Sequence, residues 1–256
     1  MDNNVEQSRR HEHILAEVGW NVRQVGDELH GQAPILPQLL VPGHAQLRLS
    51  MLAAWADQLM GLLAVRVMAP RVPSTLELEV HLFRPAPGAG VLQGRARLVK
   101  AGRSVLTAVV EFATETGEIV AEGAGSFMLA GDPSVRLPEL TSLDMPAEPA
   151  RLTLPIAARA RCERRAQGVA ALPLAADARN SANTLHGGLL ALVAEEALLS
   201  LVPHTSLCSL GLRYLRPLRT GPAVAHARLR ETLGRIEVFD EGHENRLAVL
   251  ATARVF

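Results

Sequence analysis

Two stretches of the chain are apolar on nearly every helical face, and each is followed by segments in which apolar and polar residues alternate. Leu49 to Met68 (LSMLAAWADQLMGLLAVRVM) and Gly187 to Val202 (GGLLALVAEEALLSLV) predict two helices that must be buried, because no polar face is left for water. After the first helix, Thr75 to Pro85 (TLELEVHLFRP), Val91 to Lys100 and Ser104 to Glu115 read as half-buried strands. A turn at Thr116-Gly117-Glu118 leads into a last one, Ile119 to Leu129. After the second helix, Leu210 to Pro217, Ala223 to Leu233 and Arg246 to Phe256 repeat the theme. Aligning Arg84-Pro85 with Arg216-Pro217, and helix with helix, gives an internal repeat of about 130 residues. Gly131 to Ala150 holds four prolines and little periodicity. The predicted division is therefore residues 1–132, a linker over 133–150, and residues 151–256. A helix followed by antiparallel strands, twice over, predicts an α+β protein with a sheet wrapped around its helix in each half.

Composition narrows the function classes. The 256 residues are 48% hydrophobic and 20% charged, as in a globular chain, and the 26 basic and 26 acidic side chains cancel. With no net charge and 3% aromatics, neither a nucleic-acid surface nor a membrane surface is expected as a partner. The N-terminus is polar, without the apolar core of a signal peptide, so a cytoplasmic protein is expected. Cys162 and Cys208 match no metal spacing and are expected to be buried reduced thiols. His11, His13, His30, His81, His204, His226 and His243 form no metal-ligand pair, and His11 and His13 are expected to be exposed. No metal or organic cofactor is implied.

The candidate chemistry sits where the second helix begins, at Asn180-Ser-Ala-Asn-Thr-Leu-His186-Gly187-Gly188. Two glycines at a helix start leave backbone N–H groups uncovered at the positive end of the helix dipole, which suits a carbonyl oxygen becoming an oxyanion. Asn180, five residues, His186-Gly187-Gly188 and a carboxylate at Glu195 resemble the hotdog-fold acyl-CoA thioesterases of the phenylacetate-degradation type. The resemblance extends over almost the whole chain, once for each half, and implies two tandem hotdog domains forming a pseudo-dimer. It implies an active site between two hotdog units. One unit supplies the Asn and a Gly N–H to polarise the thioester carbonyl, and the other supplies an acid from its helix.

The halves depart from that pattern in complementary ways. Trp55-Ala-Asp57-Gln-Leu-Met-Gly61 is similar to the family's helix with its catalytic acid, but nine residues earlier stand Arg48, Leu49 and Ser50 instead of the glycine loop. Thr75 occupies a position where related enzymes place a hydroxyl near the acid, whereas the second half has Leu207 there. One composite site is therefore expected, from Asp57 and Thr75 with Asn180, His186, Gly187 and Gly188. The other set, Arg48 with Glu195, is expected to be degenerate, its two side chains paired as ions, and Glu196 a solvated or interface charge. Ala53, Ala54, Met60 and Gly61 surround Asp57 on its helix, an apolar setting that disfavours an ionised carboxylate unless it is paired or protonated, and a carboxylate kept there is a catalytic candidate.

The implied reaction is hydrolysis of an acyl-CoA, with Asp57 as nucleophile or general base. Arg84, Arg213 and Arg216, or Arg103, are candidates for the phosphates of CoA. The alternatives are a non-catalytic acyl-CoA-binding module and a hotdog enoyl-CoA hydratase or dehydratase, though no Asp-x4-His hydratase pattern is present. Further association of the fused chain into a homodimer is an expectation from the resemblance.

Overall fold

Both apolar stretches are helices, and both lie against one sheet. A computed structural model describes residues 13–131, 134, 136, 137 and 142–256. Helix α1 spans Leu49–Met68, α2 is a single turn at Ile156–Arg159, and α3 spans Gly187–Leu199. The strands are β1 (Asn21–Val25), β2 (Glu28–Pro34), β3 (Pro73–Leu82), β4 (Val91–Ala101), β5 (Val105–Thr114), β6 (Ile119–Leu129), β7 (Glu163–Ala166), β8 (Val169–Leu172), β9 (Leu207–Tyr214), β10 (Ala223–Arg230), β11 (Leu233–Asp240) and β12 (Arg246–Val255). The fold is α+β, with one long helix and six strands in each half.

These twelve strands form one antiparallel sheet in the order β1-β2-β4-β5-β6-β3-β9-β12-β11-β10-β8-β7. Read from either edge toward the middle, the sequence of elements is the same, so each half repeats the other about a central pseudo-twofold. The join is β3 against β9, with Glu77 opposite Arg213 and His81 opposite Ser209. Buried residues at alternate positions of the strands face α1 and α3, whose own side chains are largely buried. Helix α1 is long and apolar enough to cross a bilayer by length and composition, but it lies in the core between sheet and partner helix. The two cysteines are half-buried rather than buried, and both are free. Burial pushes the Cys162 thiol up to about 12.

Three local differences from the sequence pattern have physical causes. Helix α3 stops at Leu199, short of Val202, because Ser200 Oγ donates to Ala197 O (2.7 Å) and Pro203 disfavours helical backbone just before it. Strand β11 follows β10 through a two-residue loop, Glu231-Thr232, in which Glu231 has φ 53°. No glycine or asparagine marks that turn, so the hairpin is hidden in sequence. The described part of the linker is packed: Val22 and Met145 exchange backbone hydrogen bonds beside β1, and Leu143 is buried.

Candidate active site

The pseudo-twofold sets the start of each long helix against the middle of the other. Asp57 stands eight residues after Leu49 in α1, and Glu195 stands eight after Gly187 in α3. The carboxylate of each half therefore faces the other half's helix N-terminus. What each finds there differs.

On one side, Asp57 meets the glycine loop. A Cβ added to Gly187 would lie 2.9 Å from Asp57 Oδ2 and 3.2 Å from Tyr214 Oη, so only glycine leaves room for both groups. Gly188 is required for packing instead, because a Cβ there would strike Ala54 of α1. His186 caps the helix, its Nδ1 accepting from the Gly188 N–H (3.0 Å). That leaves the Gly187 N–H without a protein acceptor among the described residues, aimed from the positive end of α3. Of the two candidate donors, Gly188 is engaged and Gly187 is free.

Thr75 Oγ1 donates to Asp57 Oδ1 (2.8 Å). It reaches that point through a bulge in β3, where the pairing with β6 shifts between Thr75 and Glu77. Burial raises the Asp57 carboxyl to about 6, and the Thr75 hydrogen bond opposes that rise. Burial lowers His186 to about 4, so the imidazole is neutral and able to accept at Nδ1. Asn180 uses Oδ1 within its own loop, accepting from Ala182 N (3.0 Å), Thr184 N (3.1 Å) and Thr184 Oγ1 (3.1 Å). Its Nδ2 makes no hydrogen bond among the described residues.

Two participants escaped the sequence reading. Tyr214, the last residue of β9, donates to Gly187 O (3.2 Å). His13 is not exposed at the N-terminus: it caps a short turn (Ile14–Val18) and packs its ring 5.1 Å from that of His186. Arg159 holds this turn on the second half, gripping Glu17 and Asp177. Burial, and then the neighbouring His186, lower His13 to about 3. His11 lies outside the described residues.

On the other side, the helix start is closed by the protein's own side chains. Glu195 Oε1 accepts from the Leu49 N–H (3.0 Å) and the Ser50 N–H (3.4 Å), and Oε2 accepts from Ser50 Oγ (2.6 Å). Arg48 Nη1 stands 3.2 Å from Glu195, and its Nη2 stands 2.6 Å from Glu196. Glu196 is not solvated, being 5% exposed and paired also with Arg164 at 2.7 Å. Burial works against the Arg48 charge, but the two carboxylates outweigh it and hold the guanidinium above its ordinary range. The glutamate is one methylene longer than the aspartate. It closes on the helix end that the shorter Asp57 leaves open.

The arginines proposed for phosphates already have partners. Arg84 pairs with Glu118, Arg213 with Glu77 (3.2 Å), and Arg216 Nη1 donates to Leu247 O (3.2 Å). Arg213 is exposed between buried Leu212 and half-buried Tyr214, so it points to the sheet face opposite the helices. Arg103 is exposed in the β4–β5 turn. Among the described residues no cluster of His, Cys, Asp and Glu is arranged to hold a metal ion.

Residues 50–121 match the family model described as Thioesterase superfamily. The chain has the hotdog fold, and this part of its first half is similar to the thioesterase superfamily. The general chemistry of that superfamily is hydrolysis of an acyl thioester, and the matched segment carries both Asp57 and Thr75. The fold is shared with an acyl-ACP thioesterase of Bacteroides thetaiotaomicron (TM-score 0.64, 11% identity, 90% of this chain and 98% of that one). It is shared as well with a hot dog fold protein of unknown function from Alicyclobacillus acidocaldarius (TM-score 0.59, 18% identity, 92% and 94%). The tesB protein of Mycobacterium avium subspecies paratuberculosis is similar too (TM-score 0.61, 15% identity, 95% and 97%). All three are matched over nearly their full length, so the double unit is common to them. No curated protein sequence matches the chain.

Proposed function

We propose that the chain hydrolyses an acyl-CoA to the free acid and CoA at one composite site, built from Asp57 and Thr75 of the first half and Asn180, His186, Gly187 and Gly188 of the second. The observation that carries this reading is the asymmetry between the two helix N-termini. The Gly187 N–H is free beside Asp57, while the Leu49 and Ser50 N–H groups are consumed by Glu195.

The thioester carbonyl oxygen would accept from the Gly187 N–H and from Asn180 Nδ2, so that charge developing on it is met by fixed donors. The Asp57 carboxylate, oriented by Thr75, takes a proton from water as the water oxygen adds to the carbonyl carbon. Collapse of the adduct breaks the C–S bond, and the CoA thiolate leaves to collect a proton. If Asp57 adds directly, the intermediate is an acyl anhydride that water then opens. Single turnover in 18O-water followed by mass analysis of the peptide bearing Asp57 separates the two, since only the anhydride route can label the carboxylate. His186 is a cap and not a base here, because its Nδ1 is occupied and burial makes the imidazole a weak proton acceptor.

A panel of acyl-CoAs with a free-thiol readout tests the reading. Thiol should be released by the wild type, and Asp57→Asn should lower kcat by three orders of magnitude or more. Hydration of an enoyl-CoA without thiol release, or tight binding of acyl-CoA with no turnover, would overturn it in favour of a hydratase or a binding module.

A further inference from the structure

Tyr214 is the only tyrosine in the chain, and it sits where the two halves of the site meet. The geometry points to Tyr214 as the positioning residue of this site: its hydroxyl holds the first carbonyl of α3, so that the Gly187 N–H and the Asp57 carboxylate address one thioester carbonyl. This rests on the thioester-hydrolase reading given above.

Four observations converge on it. A helix that starts with two glycines has a first turn with little intrinsic stiffness, since neither residue restricts its own backbone. The Gly187–Gly188 peptide is nevertheless held at both ends, its N–H by His186 Nδ1 (3.0 Å) and its C=O by Tyr214 Oη (3.2 Å). Second, the space a Gly187 side chain would fill is bounded by Asp57 Oδ2 and Tyr214 Oη together, so hydroxyl, carboxylate and helix start form one contact. Third, strand alternation aims Tyr214 toward the helices just beyond the Glu77–Arg213 pair, beside the bulge that delivers Thr75. The two hydroxyl residues thus reach Asp57 and its oxyanion donor from adjoining strands. Fourth, the pseudo-twofold places Leu82 where Tyr214 would have its counterpart, counting back from Pro85 and Pro217 alike. The hydroxyl is present only on the side whose helix end is open, and absent where Glu195 has closed it.

The phenol is suited to a fixed donor. Burial, and then the Asp57 charge, raise its ionisation well above the ordinary tyrosine range, so it keeps its proton wherever the enzyme folds. A phenylalanine at this position would fill nearly the same space and leave the Gly187 carbonyl with its helical partner alone, without the second hold that fixes its direction.

Because there is one tyrosine, biosynthetic 3-fluorotyrosine labels Tyr214 alone, and 19F NMR reads it without any substrate. The resonance should shift with a midpoint near pH 6 as Asp57 ionises, and the transition should vanish in Asp57→Asn. In parallel, Tyr214→Phe should keep its Tm within a few degrees and its KM within about threefold, while kcat falls by roughly 10-fold to 10²-fold, the size expected for a misplaced catalytic donor. The stretch of a bound 13C-labelled thioester carbonyl should lie at lower frequency in Asp57→Asn than in the double variant that adds Tyr214→Phe to it. A flat 19F titration, an unchanged kcat, or a carbonyl frequency indifferent to Tyr214→Phe would each overturn the assignment. Failure of the wild type to hydrolyse any thioester would sink the functional reading instead, and the 19F titration would still decide whether Tyr214 and Asp57 are coupled.

Discussion

At the residue scale, Asp57 is a carboxylate held where ionisation is disfavoured. It was legible in sequence because the apolar setting of Ala53, Ala54, Met60 and Gly61 coincides with a helix motif whose counterpart, the His186-Gly187-Gly188 loop, stands in the other half. Its pKa of about 6 against an ordinary 3.8 means the folded protein binds the proton more tightly than the unfolded chain does. The sign follows: this group favours folding below pH 4, and that contribution is lost as pH rises through 6. At pH 7 the ionised carboxylate therefore costs stability. Part of the side chain meets solvent, so the cost is about 1–2 kcal/mol after screening, less than the full shift would give. Asp57→Asn should raise Tm by a few degrees at pH 7 and abolish turnover, and the wild-type kcat should fall off on an acid limb near pH 6. Calorimetry at pH 7 showing the variant less stable than wild type would contradict this account. Tyr214 was not legible in the same way: what marks it is contact with Gly187 and Asp57, and those contacts exist only once β3 pairs with β9.

At the element scale, the two helix starts have different consequences. The glycine pair was readable as an open helix end, but its two members do different things, and only packing reveals it. Gly187 makes room for the Asp57 carboxylate and the Tyr214 hydroxyl, while Gly188 lets α3 lie against Ala54 of α1. Gly188→Ala should therefore act mainly on the helix–helix contact, lowering stability by about 1–3 kcal/mol as an overpacked core does. Denaturant unfolding would measure it. The closed end behaves otherwise. Arg48, Glu195 and Glu196 are each at most 5% exposed, and removing one charge leaves the others poorly compensated. Glu195→Gln should cost on the order of 3 kcal/mol in unfolding free energy, as breaking a buried ion pair does. Per folded molecule it should leave kcat nearly untouched, because this carboxylate faces no free donor. Equal losses of kcat in Glu195→Gln and Asp57→Asn would mean that both helix ends are working sites. The Arg48–Glu195 pairing was suggested by the count of nine residues, whereas the Ser50 hydroxyl and the part of Glu196 were not, since neither has a periodic signature.

At the scale of the whole molecule, the repeat and the α+β class were written in the hydrophobic pattern, but the way the chain fastens its halves was not. The N-terminal turn belongs to the first half by sequence and to the second by contact, through Glu17 with Arg159 and His13 with His186. The polar segment carrying these residues gave no sign of packing. This placement makes stability depend on pH in a definable way. Both imidazoles are held neutral in the folded protein, with pKa values of about 3 and 4, while in the unfolded chain each takes a proton near 6.5. Their contribution is complete above pH 6.5 and is lost as pH falls toward 4, and Asp57, gaining stability over the same span, offsets only part of it. Unfolding free energy should therefore drop by several kcal/mol, on the order expected for two such groups, between pH 6.5 and 4. His13→Leu removes one of the two. It should be about 1 kcal/mol less stable than wild type at pH 7, because the cap on Leu15 N is gone. Its curve should nevertheless fall less steeply, so that the two converge or cross near pH 5. Urea unfolding at half-unit intervals of pH would show this, and parallel curves for the two proteins would mean that the His13–His186 contact does not hold the N-terminal turn against the second half in solution.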